Sequence, residues 1–190
     1  MTLTINVNVL GEQLALETRA GLFSPEHADR GTMAMLSTLD LQPGMKVMDL
    51  GCGCGIVGIA AAKKCGTENI VMSDVDPNAV ETARENAESN GVSGVKIVVS
   101  DGFDGVDDAG FDLILSNPPY QTDFAVAKKF IEKGFNRLKI GGRMVMVTKR
   151  LDWYRNKLKA IFGGVRVQEI DGYYVFTAEK RSASYAKKKK

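Results

Sequence analysis

From residue 46 onward the hydrophobic period switches repeatedly between that of a strand and that of a helix, which leaves the chain very few architectures. Apolar runs at 46–50, 69–73, 95–99, 111–115 and 143–148 predict strands. Helices are expected at 55–64, from Asp76-Pro77 to about Asn90-Gly91, at 123–138 and at 152–162. Asp76 suits an N-cap and Pro77 the first helical position, ahead of an apolar face of Ala79, Val80, Ala83 and Ala87. Such alternation predicts an α/β fold: a mostly parallel sheet with helices on both faces. The last two strands, 166–170 and 173–178, are joined only by Asp171-Gly172, too short for a crossover helix. They are expected to form an antiparallel hairpin. Residues 1–44 are read as an accessory piece, a hairpin of 4–9 with 13–18 and then a helix at 26–39. Residues 45–181 are the core and 182–190 a basic tail expected to be disordered, within a single domain overall.

At 190 residues one domain with a real core fits and two do not. The hydrophobic share of 44% and charged share of 25% are those of a globular protein. No run of eighteen apolar residues exists to span a membrane, and residues 1–10 lack the basic and apolar blocks of a signal peptide, so a cytoplasmic location is expected. Cys52, Cys54 and Cys65 are odd in number and crowded together, which is no disulfide framework. With His27 the sole histidine and remote in sequence, no metal site is expected. The net charge of +2 hides a segregation. Residues 128–166 carry twelve Lys or Arg against Glu132 and Asp152, while 68–112 carry eleven Asp or Glu against Arg84 and Lys96. A basic strip of this kind, with lysines at 187–190, favours an anionic partner such as RNA.

The strand containing Asp49 runs directly into Gly51-Cys52-Gly53-Cys54-Gly55. Glycines there allow a sharp turn and close approach of backbone N–H groups to a ligand. Gly53, Gly55 and Gly58 also satisfy G-x-G-x-x-G, so a nicotinamide dinucleotide must be weighed. In that fingerprint the first glycine follows the strand at once, whereas here Asp49 ends the strand and Gly51 intervenes. An acid at that position suits the positively charged amino end of S-adenosyl-L-methionine (SAM), which has no pyrophosphate and does not require the third glycine. Asp74 ends the second core strand, 21 positions after Gly53, where a carboxylate can accept from both ribose hydroxyls. Asp101 ends the third, before Gly102-Phe103, and is expected to accept from the adenine amino group with Phe103 flanking the ring.

Ser116-Asn117-Pro118-Pro119-Tyr120 ends the fourth strand, beyond which open α/β sheets bind their ligands. The prolines restrict Asn117 and Pro118 to extended backbone, making a rigid shelf. An exocyclic amine is conjugated and a poor nucleophile. The Asn117 side-chain oxygen and the Pro118 carbonyl can each accept one of its N–H bonds and stabilise charge as it develops. Tyr120 offers a face for a flipped-out base.

Together these motifs resemble class I SAM-dependent methyltransferases. They are most similar to the methyltransferase small domain group, which includes ribosomal small-subunit RNA guanine-N2 methyltransferases. The signature F-S-x4-D-x-G-[ST] is present as Phe23-Ser24, Asp29 and Gly31-Thr32, and Trp153, Phe162-Gly163 and Gly172-Tyr173 also resemble single-domain members. The resemblance covers about residues 14–181 and implies a Rossmann-like, seven-stranded sheet whose last strand is antiparallel. It implies a cofactor site of Phe23, Asp49, Gly51, Cys52, Gly53, Gly55, Asp74, Val75, Asp101, Gly102, Phe103 and Asn117. The catalytic set would be Asn117, Pro118, Pro119 and Tyr120. Guanine N2 of ribosomal RNA is the expected acceptor, met as RNA or a ribosomal subunit by a monomer or homodimer, with no membrane involved. The ribosomal enzymes commonly carry Phe-His after the prolines, whereas Tyr120-Gln121 stands here. Tyr also occurs in enzymes similar to adenine-N6 and protein glutamine-N5 methyltransferases, so adenine N6 of RNA or DNA, and less so protein glutamine, remain alternatives.

Overall fold

The computed structural model describes residues 2–19, 28–119 and 124–186. A two-residue turn at Leu10-Gly11, both with positive φ, joins β1 (Thr2–Val9) to β2 (Glu12–Arg19) as an antiparallel hairpin. Then come α1 (Arg30–Leu36), β3 (Val47–Leu50), α2 (Ile56–Cys65), β4 (Ile70–Asp74), α3 (Pro77–Ser89), β5 (Lys96–Val99) and β6 (Phe111–Ser116). The chain continues through α4 (Ala125–Arg137), β7 (Leu138–Thr148), α5 (Asp152–Phe162), β8 (Arg166–Ile170) and β9 (Tyr173–Glu179).

The seven core strands lie in the order β5-β4-β3-β6-β7-β9-β8, and only β9 runs antiparallel to its neighbours. Asp171 and Gly172 both take positive φ and close the expected β8–β9 hairpin. Period-two alternation sorts the strand residues to two faces. Val47, Met72, Leu113, Leu115, Val145 and Val147 meet the α1–α2–α3 side, whereas Met48, Leu50, Val71, Ile114, Met144 and Met146 meet α4 and α5. Val9, Leu14 and Leu16 of the hairpin belong to the first of these cores.

Two side chains bind the hairpin to α3. Asn90 exchanges hydrogen bonds with the backbone N–H (3.2 Å) and carbonyl (2.8 Å) of Ala15. Asn86 does the same with Glu17, at 2.7 and 2.9 Å. Lying one helical turn apart, the two amides satisfy the edge of β2 as a neighbouring strand would.

Two element boundaries differ from the sequence expectation by three residues or more. The described helix α1 ends at Leu36, because the Ser37 and Thr38 hydroxyls donate back to the Ala34 and Met35 carbonyls and divert the chain. The expected helix start at 26–27 lies outside the described residues. β7 begins at Leu138, not at Arg143. Gly141 and Gly142, expected as a turn before the strand, form an irregularity within it, where the register against β6 shifts between Phe111 and Leu113. A Cβ on Gly142 would sit 2.6 Å from the Phe111 carbonyl oxygen, so the two backbones meet there as only glycine allows.

Candidate active site

β3 pairs with β4 on one side and β6 on the other, and the chain leaves β3 and β6 for helices on opposite faces. That reversal opens a crevice at the carboxyl ends of the strands. A cleft of about 370 Å³ occupies it. Of the residues singled out in the sequence, Gly51, Cys52, Gly53, Asp74, Val75, Asp101, Gly102, Asn117, Pro118 and Pro119 line it. Phe23 and Tyr120 lie outside the described residues.

The glycine loop is tied down mainly by backbone. Gly51 and Cys52 both donate to the Ser73 carbonyl at 2.9 Å, and Gly55 donates to the Cys52 carbonyl at 2.9 Å. Gly53 takes a φ of +53° with no atom within 4 Å of a prospective Cβ, so left-handed backbone and not crowding calls for glycine there. Its N–H donates to Asp74 Oδ2 at 2.9 Å, and Asp76 N–H donates to Asp74 Oδ1 at 3.0 Å. Each Asp74 oxygen keeps a further lone pair for a ligand in the cleft.

Three expected cofactor residues do not line the cleft. Gly55 caps α2 in left-handed backbone, and a Cβ there would press on Met72, Ala83 and Ile59. Asp49 is buried behind the loop and accepts the Gly58 N–H at 2.9 Å. Burial, with a smaller push from the Asp74 charge and against the pull of that hydrogen bond, raises its carboxyl to about 7. Phe103 enters the α4 face beside Phe130, Ile131 and Phe135, with the Arg137 guanidinium 6.0 Å from its ring centre. Among the described residues the aromatic wall of the cleft is Phe130, which abuts Gly102. Gly58 is needed after all, for packing and not for phosphate: a Cβ would sit 2.5 Å from Met72. Asp101 is exposed and ion-paired with Lys129 at 2.7 Å.

At the other end of the cleft, Ser116 Oγ donates to the Leu50 carbonyl at 2.8 Å and joins the tips of β6 and β3. Asn117 follows. Its Nδ2 donates to Asp29 Oδ2 at 2.7 Å and to Thr32 Oγ1 at 2.9 Å. A carboxylate can only accept, so the amide nitrogen must face Asp29, and both its hydrogens are used. Among the described residues nothing donates to Asn117 Oδ1, which is left as the acceptor of a residue lining the cleft. Asp29 Oδ2 also accepts the Thr32 N–H at 2.7 Å as the cap of α1. The chain re-enters the described structure at Phe124, stacked on Trp153 at 4.3 Å with Arg150 over its ring.

The model of the methyltransferase small domain matches residues 13–177. The chain belongs to that family. Within it, the chain is 34% identical over 183 residues to ribosomal RNA small subunit methyltransferase C of Serratia proteamaculans, covering 93% of the chain and 52% of that protein. It is 35% identical over 168 residues to the uncharacterized protein YbxB of Bacillus subtilis, covering 85% and 83%. A T. thermophilus 16S rRNA N2 G1207 methyltransferase (RsmC), solved with AdoMet and guanosine, superposes with a TM-score of 0.86 at 26% identity. That match covers 95% of the chain and 51% of the other. The chain thus spans about half the length of the ribosomal methyltransferases it matches.

This family member pairs much of its segregated charge internally. Lys129 and Lys133 hold Asp104, Lys139 holds Asp112, Lys157 holds Glu132 and Arg155 holds Asp152. Five of the twelve cations in the basic strip are neutralised in this way, so it is not a continuous free cationic surface. The contact of Asp29 and Thr32 with Asn117 is also not foreseen from the sequence. Their family signature was visible, but nothing local in it points to Asn117, 88 and 85 residues away.

Proposed function

We propose that the chain is a SAM-dependent N-methyltransferase acting on guanine N2 of ribosomal RNA. The observation that carries this reading is the Asn117 carboxamide, fixed by Asp29 and Thr32 so that only its oxygen is left to a ligand.

The cleft suits SAM by its charge. Asp29, Asp74, Asp76 and Asp101 line it, and among the described lining residues there is no Lys or Arg. Asp101 is paired with Lys129, but Asp29, Asp74 and Asp76 have no cationic partner among the described residues, so the cleft disfavours a pyrophosphate and favours a cationic ligand. Asp74 offers two oxygens for ribose hydroxyls, while Ile56, Val75 and Phe130 supply apolar wall. When bound, SAM supplies an electrophilic methyl group on its sulfonium.

The chain's own residues then position the acceptor. Asn117 Oδ1 takes one amine hydrogen and the Pro118 carbonyl the other, which turns the nitrogen lone pair out of conjugation and stabilises positive charge as it forms. The N–H becomes acidic only as the methyl arrives, so no strong base is required at Asn117. Guanine as the base follows from the relatives, one named a small-subunit ribosomal RNA methyltransferase and another solved with guanosine. The partner on this reading is ribosomal RNA or a ribosomal subunit in the cytoplasm, met by a monomer or homodimer. Among the described residues no helix is long and apolar enough to cross a membrane.

The test is transfer of labelled methyl from SAM to bulk RNA and to ribosomal subunits from a host lacking this gene, followed by nucleoside separation. Label in N2-methylguanosine is expected. Label in N6-methyladenosine alone would move the assignment to adenine, and unlabelled RNA would overturn it.

A further inference from the structure

Asp29 does more than cap α1. Oδ2 takes both hydrogen bonds, from the Thr32 N–H and from Asn117 Nδ2, each at 2.7 Å. Among the described residues Oδ1 has no donor, and Asp29 lines the same cleft as Asn117. The acceptor corner thus holds two oxygen acceptors on residues that are directly bonded: Asn117 Oδ1, neutral, and Asp29 Oδ1, on a carboxylate.

The two candidate purines differ in what lies beside their exocyclic amine. In guanine N2 is flanked on one side by N1–H, a donor. In adenine N6 is flanked by the N1 lone pair on one side and by the N7 side on the other, and neither offers a donor. With the amine on Asn117, a neighbouring carboxylate attracts the first edge and repels the second. Leaving a buried acceptor facing a lone pair costs more than a missing hydrogen bond.

We propose that Asp29 determines base specificity by accepting the N1–H of guanine while Asn117 accepts from its amine. This rests on the guanine-N2 reading and adds to it the residue that excludes adenine. It also assigns the acidic position of the F-S-x4-D-x-G-[ST] signature two distinct atoms with two distinct roles.

The test compares guanosine with 2-aminopurine riboside, which keeps the 2-amino group but presents a lone pair at N1. Binding to the full chain saturated with S-adenosylhomocysteine is followed by 2-aminopurine fluorescence and its displacement by guanosine. The wild type should prefer guanosine by about tenfold or more. In Asp29→Asn the amide oxygen can still accept from Thr32 and Asn117, which leaves an N–H facing the base. The preference should fall at least about tenfold or invert, and the double comparison cancels the missing O6 of 2-aminopurine.

If Asp29 only positions Asn117, the variant weakens both ligands equally, and an unchanged ratio overturns the proposal. Equal wild-type affinities, or no binding of either ligand, overturn it too. Should Asp29→Asn fail to fold, the wild type alone decides with 1-deazaguanosine, in which a C–H stands in place of the N1–H, and which must bind about tenfold more weakly. The RNA labelling above tests the guanine reading separately: N2-methylguanosine with an unchanged ratio removes Asp29 alone, whereas N6-methyladenosine removes both.

Discussion

The two ends of the cleft are built in different ways. The end proposed for the cofactor is local: Gly51, Cys52 and Gly53 are fastened to Ser73 and Asp74, on the adjacent strand. The end proposed for the acceptor is remote: Asn117 is oriented by Asp29 and Thr32, which arrive from a helix preceding the whole core sheet. The first arrangement fixes a backbone path and so should govern affinity for the cofactor. The second fixes the direction of one side-chain dipole and so should govern the rate of transfer. A site divided in this way can change acceptor without rebuilding its cofactor loop.

The sharpest way to break this comparison is a pair of alanine variants. Asn117→Ala should lower turnover about a thousandfold while leaving SAM affinity within about twofold, because the lost acceptor acts mainly as charge develops. Asp74→Ala should raise the SAM dissociation constant about ten- to a hundredfold with kcat at saturation little changed, since it releases Gly53 and the ribose acceptors together. Calorimetric SAM binding alongside labelled-methyl transfer reads both. If Asn117→Ala abolished SAM binding as well, the two ends would be one structural unit and the division would fail.

The same division explains what could be read from the sequence. The succession of strands and helices, the hairpin at Asp171-Gly172 and the glycine loop are signalled by contiguous residues whose local physics decides them. Phe103 and Phe130 are different, because which aromatic reaches the cleft depends on the face of the sheet each enters, and Gly102-Phe103 carries no mark of that. Asp49 was legible as an acid at a strand end but not as one turned inward to the Gly58 N–H. Asp29 was visible only as a signature position. Its meaning lies in a contact across 88 residues, which no local periodicity encodes.

Asp49 sharpens the comparison from the cofactor end, where burying a carboxyl behind the loop carries a pH-dependent cost. Its folded pKa is raised from 3.8 to about 7, so the folded state holds the proton more tightly than the unfolded chain. That contribution is fully present below the unfolded value and is lost as pH rises through the folded one. From about pH 5.5 to about pH 7.5 the wild type should therefore lose on the order of 2 kcal/mol relative to Asp49→Asn, which keeps an oxygen for Gly58. Urea unfolding of both proteins across that range measures the difference in slope. Parallel curves would mean that Asp49 is ionised at no extra cost and that the loop stores none.

The smallest effect probes the acceptor end by removing one of its two anchors. Thr32→Val keeps the shape of the side chain and the backbone N–H that Asp29 caps, but removes the oxygen that accepts from Asn117 Nδ2 at 2.9 Å. Asn117 then keeps only Asp29, and its carboxamide can swing about that single bond. Transfer should slow about tenfold, a loss comparable to one neutral hydrogen bond, with SAM affinity unchanged. Thr32→Ser restores the oxygen and should restore the rate, which a loss of packing alone would not explain because serine removes the methyl group that valine keeps. If Thr32→Ser proved the slower of the two, the hydroxyl would matter less than the methyl, and Asp29 alone would set the direction of Asn117.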